Sequence, residues 1–342
     1  MITPRPEATG KSGEGGRFFP AGPYSWLMTL LTIAYANHRP ETLPLSQPLM
    51  EAHKQIVLEE PPHPLFSEMV HGRISTDEYL YDQDIEYPAF SHQQCDLLRS
   101  LFKADKELIQ IEPYLDYLIE VQDFFAEGSG PDDLDRSTIH YQVYLREKQA
   151  TRALIEYYQA VRGDDFNMLI ESIKRFAQAD AERFELRDRL RAQAIVSRLD
   201  GQHSTCVEAG PMHLLLFHHL RRLMPPGWSI KPVFVEIEGL NALGLKSGLY
   251  GPGDKLTVHN LFNRTLPPEV ANLLCARTLI FMKIVHKEEF PEQQGPYPHL
   301  RNESRAVALV NQLSLSSCRE LFMQIRDKTE KEAFVLVSAH ES

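Results

Sequence analysis

The chain has 342 residues, 43% of them hydrophobic, enough for one large α/β domain or two ordinary ones around a sizeable core. Its formal charge of −11 excludes a general nucleic-acid binder, because gripping a phosphate backbone needs a basic surface. Four cysteines, Cys95, Cys206, Cys275 and Cys318, stand far apart with no CxxC pair, so neither a zinc ribbon nor a disulfide framework is expected; they read as reduced core residues of a cytoplasmic protein.

Residues 1–23 form a Gly/Pro-rich stretch that reads as a disordered tail, and its GKSGEGG segment lacks the spacing of a phosphate loop. The run YSWLMTLLTIAYA, residues 24 to 36, has the length of a signal-peptide core and ends Ala34-Tyr35-Ala36. A tail holding Glu7 and Glu14 is a poor charged leader for it, so the run reads as a buried strand. No stretch reaches the roughly 18 to 20 apolar residues that a membrane span needs.

Strand signals then alternate with helical ones. The strands are LMTLLTIAYA, QIVLEE (55 to 60), ELIQIE (107 to 112), STCVEA (204 to 209) and KPVFVEI (231 to 237). Between them lie helices such as QQCDLLRSLFKA, in which Leu97, Leu98, Leu101 and Phe102 share one face. The alternation predicts an α/β fold with a mostly parallel central sheet and flanking helices. Residues 114–200 contain no convincing strand and predict a large helical insertion that forms a cap within a domain spanning 24–240. Residues 241–342 are expected to be a C-terminal helical extension packed on the same domain. They open with a turn-rich SGLYGPGDKLTVHN and continue in two amphipathic helices around 267 to 284 and 302 to 326.

The strand ends carry the chemistry. Strand one runs into Asn37-His38-Arg39, strand two into Glu59-Glu60-Pro61-Pro62, strand three into Glu112-Pro113, and strand four through Glu208 to His213. In a parallel sheet those ends share one edge, so two histidines, up to four carboxylates and an arginine are expected around one crevice. Carboxylate and imidazole together suit manganese, iron, cobalt or zinc, and a metal with an open coordination place activates water. The candidate ligands are His38, Glu59, Glu60, Glu112 and His213. Without a metal, carboxylates crowded on one rim repel, so one takes a raised pKa and serves as general base near neutral pH. Adjacent Glu59 and Glu60 point to opposite faces if the strand continues that far. A glutamate after a strand is also a common first residue of a helix, and a histidine such as His213 at a helix start is often a packed or capping side chain.

With these residues in hand, the chain resembles the Tiki/TraB superfamily, which includes erythromycin esterases and ChaN-like haem-binding proteins. That group carries two Gly-x-x-His motifs at strand ends, a glutamate after the second strand, and an Arg-Asp or Arg-Asn near the end of a helical insertion. Here Gly210-Pro211-Met212-His213 fits the second motif, Glu59 or Glu60 the acid, and Arg187-Asp188 the helical signature, over about residues 25 to 240. Tyr35 stands where the first motif has its glycine, a departure expected to narrow the approach to His38.

The resemblance implies a metal-assisted hydrolase of ester or peptide bonds acting on a small-molecule or peptide substrate. His38, Glu60 and His213 would lie at the chemistry, with Arg187 reaching in from the insertion to stabilise an anionic intermediate. The alternative it implies is a non-catalytic binder of haem or another small molecule, with Met212 and Tyr35 near the pocket. If His213 is a ligand or base on an open rim, its removal should abolish metal binding or turnover at little cost in stability.

Overall fold

Runs rich in β-branched and aliphatic residues, separated by helices with one apolar stripe, build a βα repeat. The computed structural model describes residues 28–340 except 82, 84, 246–249 and 291–294, so the expected tail at 1–23 lies outside the described residues. The chain runs through β1 (Thr29–Tyr35), α1 (Leu43–Glu51), β2 (Gln55–Leu58), α2 (Phe66–Val70), α3 (Thr76–Leu80), α4 (Pro88–Lys103) and β3 (Glu107–Gln110). It continues in the insertion as α5 (Pro113–Ala126), α6 (Ile139–Val161) and α7 (Phe166–Arg198), then β4 (Thr205–Ala209), α8 (Leu214–Leu223), β5 (Trp228–Phe234) and α9 (Glu236–Ala242). The last section is helical: α10 (Pro252–Leu261), α11 (Pro268–Ile284), α12 (Pro298–Gln312), α13 (Leu315–Ile325) and α14 (Glu330–Ala339). No helix among the described residues is long and apolar enough to cross a membrane.

The five strands lie in the order β3-β2-β4-β1-β5, and every pairing is parallel. The α/β fold with a parallel sheet and flanking helices is therefore the observed one, and all five C-terminal ends open on one edge. β4 sits between β1 and β2, with Ala34 opposite Glu208 and Val57 opposite Val207. Both faces are covered, which explains why β2 and β4 are buried along their whole length.

Side-chain parity assigns each face. Ala34, Leu58 and Cys206 pack with Leu97, Leu98 and Leu101 of α4, whereas Tyr35, Val57 and Val207 pack with Ala192 and Ile195 of α7 and Leu216 of α8. α7 spans two cores. Its first half places Phe166, Leu169, Ile170 and Ile173 among Cys275, Val310 and Leu321 of the C-terminal helices, while its second half lies on the sheet.

Three boundaries differ from the sequence reading. The turn-rich stretch contains helix α10, because Pro252 occupies its first turn and Asp254 accepts the Gly251 amide at 2.8 Å. The helix expected at 302 to 326 is two helices broken after Leu313, where the Ser314 hydroxyl accepts the Ser317 amide at 3.1 Å and starts α13. β5 lies three residues earlier than expected, since Glu236 already belongs to α9.

Candidate functional site

Strand parity carries past the strand ends and sorts the acids. Glu59 follows Leu58 and continues the face of Val57, toward α7; Glu60 continues the face of Leu58, toward α4. The single crevice expected from the sequence is thus two adjoining clusters on either side of the sheet edge.

On the α7 side, Gly210 ends β4 and the chain turns through Pro211 and Met212 to His213, the residue that opens α8. His213 is only 3% exposed. Its Nε2 lies 2.7 Å from Glu59 Oε1, and its Nδ1 is bonded to Asp188 Oδ1 of α7. The imidazole does not cap α8; Asp188 does so in its place, accepting the Leu216 amide at 2.9 Å. Burial by itself pushes His213 down, but the Glu59 and Asp188 carboxylates overcome it and raise the imidazole to about 9. At neutral pH it is an imidazolium, a donor rather than a base.

Glu59 is the hub of this cluster. Its Oε2 accepts the Gly210 amide at 2.5 Å, while Arg187 Nη2 lies 3.4 Å from Oε1 and Arg191 Nη1 3.5 Å from Oε2. Against burial, which pushes it up, His213, Arg191 and Arg187 hold this carboxyl well below the usual range. Arg187 Nε also donates to Glu112 Oε1 at 3.4 Å. Burial opposes its charge, yet Glu112 and Glu59 raise the guanidinium further.

Arg191 is fully buried and ties strand ends together: Nε donates to Ile111 O at 3.0 Å and Nη2 to Glu208 O at 2.7 Å. Three carboxylates (Glu59, Glu112, Asp188) thus meet three cations (Arg187, Arg191, His213), and their formal charges cancel.

On the α4 side, Glu208 accepts from Gln94 Nε2 at 3.1 Å, and Glu60 accepts from Gln110 Nε2 at 3.0 Å. Burial first and the Glu59 charge second raise Glu208 to about 7. Burial and the nearby Glu208 also raise Glu60, with Gln110 and His38 pulling the other way. The His38 ring stacks on Phe90 at 5.0 Å between centroids, and its buried Nε2 has no hydrogen-bond partner among the described residues.

The structure therefore brings Glu59, Glu112, Arg187 and His213 into one cluster and places Glu60 with His38 and Glu208 in the other. Tyr35 does not narrow the approach to His38. Its ring turns into the α7-side core, stacks on Phe234 at 4.6 Å, and its hydroxyl donates to the His213 carbonyl at 3.2 Å. That engagement also removes it from any ligand pocket.

For a metal, the donor chemistry around His213 does not fit. Both ring nitrogens are engaged by carboxylates, and a divalent ion beside Glu59 and Glu112 would face Arg187 and Arg191. Among the described residues, no group of three or more His, Cys, Asp or Glu side chains is disposed to hold a metal ion.

Sequence reasoning missed Arg191, Gln94 and the part played by Asp188. Two of these left a signal. Arg191 lies one helical turn after Arg187, and Gln94 interrupts the buried stripe Phe90, Leu98, Leu101 of α4.

Fold and site together define an α/β protein whose polar centre sits at the C-terminal edge of a parallel sheet, beneath a helical insertion. The chain belongs to the same family as an uncharacterized protein of Archaeoglobus fulgidus, to which it is 30% identical over 293 residues, covering 85% of this chain and 97% of that protein. No family model matches the chain, and no solved structure matches it.

Proposed function

We propose that this protein is a hydrolase of the Tiki/TraB and erythromycin esterase type, cleaving an ester or peptide bond by acid–base chemistry at Glu60, Glu208 and His38. The observation that carries the reading is the pair of buried, mutually repelling carboxyls, one of them raised to about 7. In this scheme one of the two carboxyls holds a proton while the other is ionised, the arrangement that burial and repulsion between neighbouring carboxylates favour. The ionised member takes a proton from water as its oxygen attacks the carbonyl carbon. The protonated member then gives its proton to the departing oxygen or nitrogen, and the carbonyl–heteroatom bond breaks.

In this scheme the buried, unpartnered Nε2 of His38 binds the water or the substrate carbonyl. Arg187, whose side chain is 18% exposed, and the His213 imidazolium are committed to Glu59, Glu112 and Asp188 across the sheet edge and take no part in this scheme. The Glu59–His213–Asp188 chain fixes the β4–α8 turn. The metal-free form of the chemistry is the one this donor set supports, and a cytoplasmic location accords with the four buried thiols.

The test is a screen of purified protein against p-nitrophenyl esters and short peptides, alongside Glu60→Gln and Glu208→Gln. Turnover that both variants lose supports the reading. A wild type inert toward every ester and peptide, or variants as active as the wild type, overturns it. A Soret band on titration with haemin would favour the binding alternative instead.

A further inference from the structure

We infer that a cavity between the loops that follow β1 and β4 and the C-terminal helices binds a zwitterionic small molecule of amino-acid type, its carboxylate held by Arg39 and its ammonium by Glu303. The cavity has a volume of about 340 Å³, within the usual size for a small-ligand pocket. One wall comes from the loops after two strands, through Asn37, which precedes His38, and Met212, which precedes His213. The opposite wall comes from the C-terminal helices, through Phe281, Val285 and Glu303.

Arg39 is preorganised there. Its guanidinium lies 4.1 Å over the Tyr87 ring, and Nη1 donates to the Lys287 carbonyl at 3.3 Å. The remaining donors face no carboxylate within ion-pair distance among the described residues, and they form the planar fork that suits a carboxylate. Glu303 has no hydrogen bond or ion pair among the described residues. Burial raises it to about 7 while Arg39 pulls the other way, so the two charges sense each other without touching.

The other acids of the cavity are already engaged. Asp254 accepts the Gly251 amide at 2.8 Å and Glu86 accepts the Tyr87 hydroxyl at 2.7 Å. A simple anion would therefore meet three carboxyls and a simple cation would meet Arg39 and Lys287, while His286 is already engaged by Glu330. A zwitterion satisfies both ends at once, with Met212, Phe281 and Val285 left to receive an apolar side chain. The link to cleavage rests on the hydrolytic reading above, whereas the binding does not.

The experiment is calorimetric titration of the full chain with leucine, leucyl-leucine, leucinamide and 4-methylpentanoate, repeated on Arg39→Gln and Glu303→Gln, with melting curves for each. The expected result is that leucine or leucyl-leucine binds at least tenfold tighter than leucinamide and 4-methylpentanoate, and that each variant loses that preference at an unchanged melting temperature. If either variant fails to fold, the comparison of the four probes on the wild type still decides. Equal affinity for zwitterion, amide and acid, or no binding of either zwitterion, overturns the inference. Zwitterion binding without turnover of any substrate removes the hydrolase reading and leaves this one standing. Turnover of uncharged esters without zwitterion binding does the reverse.

Discussion

Glu59 Oε1 lies 2.7 Å from His213 Nε2, so the acid that follows β2 and the histidine that follows β4 act as one charged unit. With Asp188 on the other ring nitrogen, that unit is buried between sheet and insertion. This changes what removal of His213 should do. An open-rim imidazole would be cheap to lose; this one would leave Asp188 buried without its cation and Glu59 with Arg187 and Arg191 alone. We expect His213→Ala to cost about 3–5 kcal/mol, the range for breaking a buried pair by removing one partner. Urea unfolding measures it, and a loss below about 1 kcal/mol would contradict the cluster.

The same unit sets a pH dependence. His213 is raised from an ordinary 6.5 to about 9 in the folded state, so its contribution is complete below pH 6.5, declines above it, and is gone beyond about 9. Glu59 is depressed, so its contribution is present above its ordinary value of 4.5 and is lost as pH falls through its lower folded value. The joint contribution of these two groups is therefore greatest between roughly pH 5 and 6.5, and above about pH 7, beyond the range of the raised carboxyls Glu208 and Glu303, the further decline of urea midpoints toward pH 9 belongs to His213. In His213→Ala that decline above about pH 7 should vanish.

For catalysis, Glu208→Gln should lower kcat by roughly 10²- to 10⁴-fold, the usual contribution of a positioned acid or base. It should leave stability unchanged or slightly higher, because the amide relieves the repulsion with Glu60. The wild-type rate should show a limb near pH 7, matching the carboxyl raised to about 7, and the variant should lack it. A limb that persists unchanged in Glu208→Gln would assign it elsewhere.

Chelation provides a separate check. Because Glu59, Glu112 and His213 are committed to charge partners, dialysis against EDTA should leave turnover within about twofold of the untreated protein, and metal analysis should find no stoichiometric ion. Loss of activity that manganese or zinc restores would refute the metal-free chemistry.

Arg191 predicts a structural effect without a direct catalytic one. Arg191→Met keeps much of the volume but removes the donors to Ile111 O and Glu208 O and one cation from beside Glu59 and Glu112. A loss of about 3 kcal/mol or more is expected in urea unfolding. Glu112→Gln combined with it should recover part of that loss.

The periodicity of the chain was sufficient for the sheet, the insertion and the edge on which the polar residues gather. Apolar runs of strand length separated by helical stripes admit few arrangements other than a parallel sheet with covered faces, and parallel strands share their ends. The alternation of side chains also implied that Glu59 and Glu60 would part. Which partner each acid meets was not a local property. Asp188 reaches His213 across 25 positions, Arg187 reaches Glu59 across 128, and Gln94 reaches Glu208 across 114.

Those distances in sequence close only when α7 lies on one face of the sheet and α4 on the other. Charge state follows from the closure, since burial and neighbouring charges move a pKa and both are tertiary quantities. From sequence, His213 therefore read as a ligand or base, with a packed or capping side chain as the alternative. Packing between Glu59 and Asp188 made it an imidazolium, while on the opposite face burial raises the carboxyls of Glu60 and Glu208.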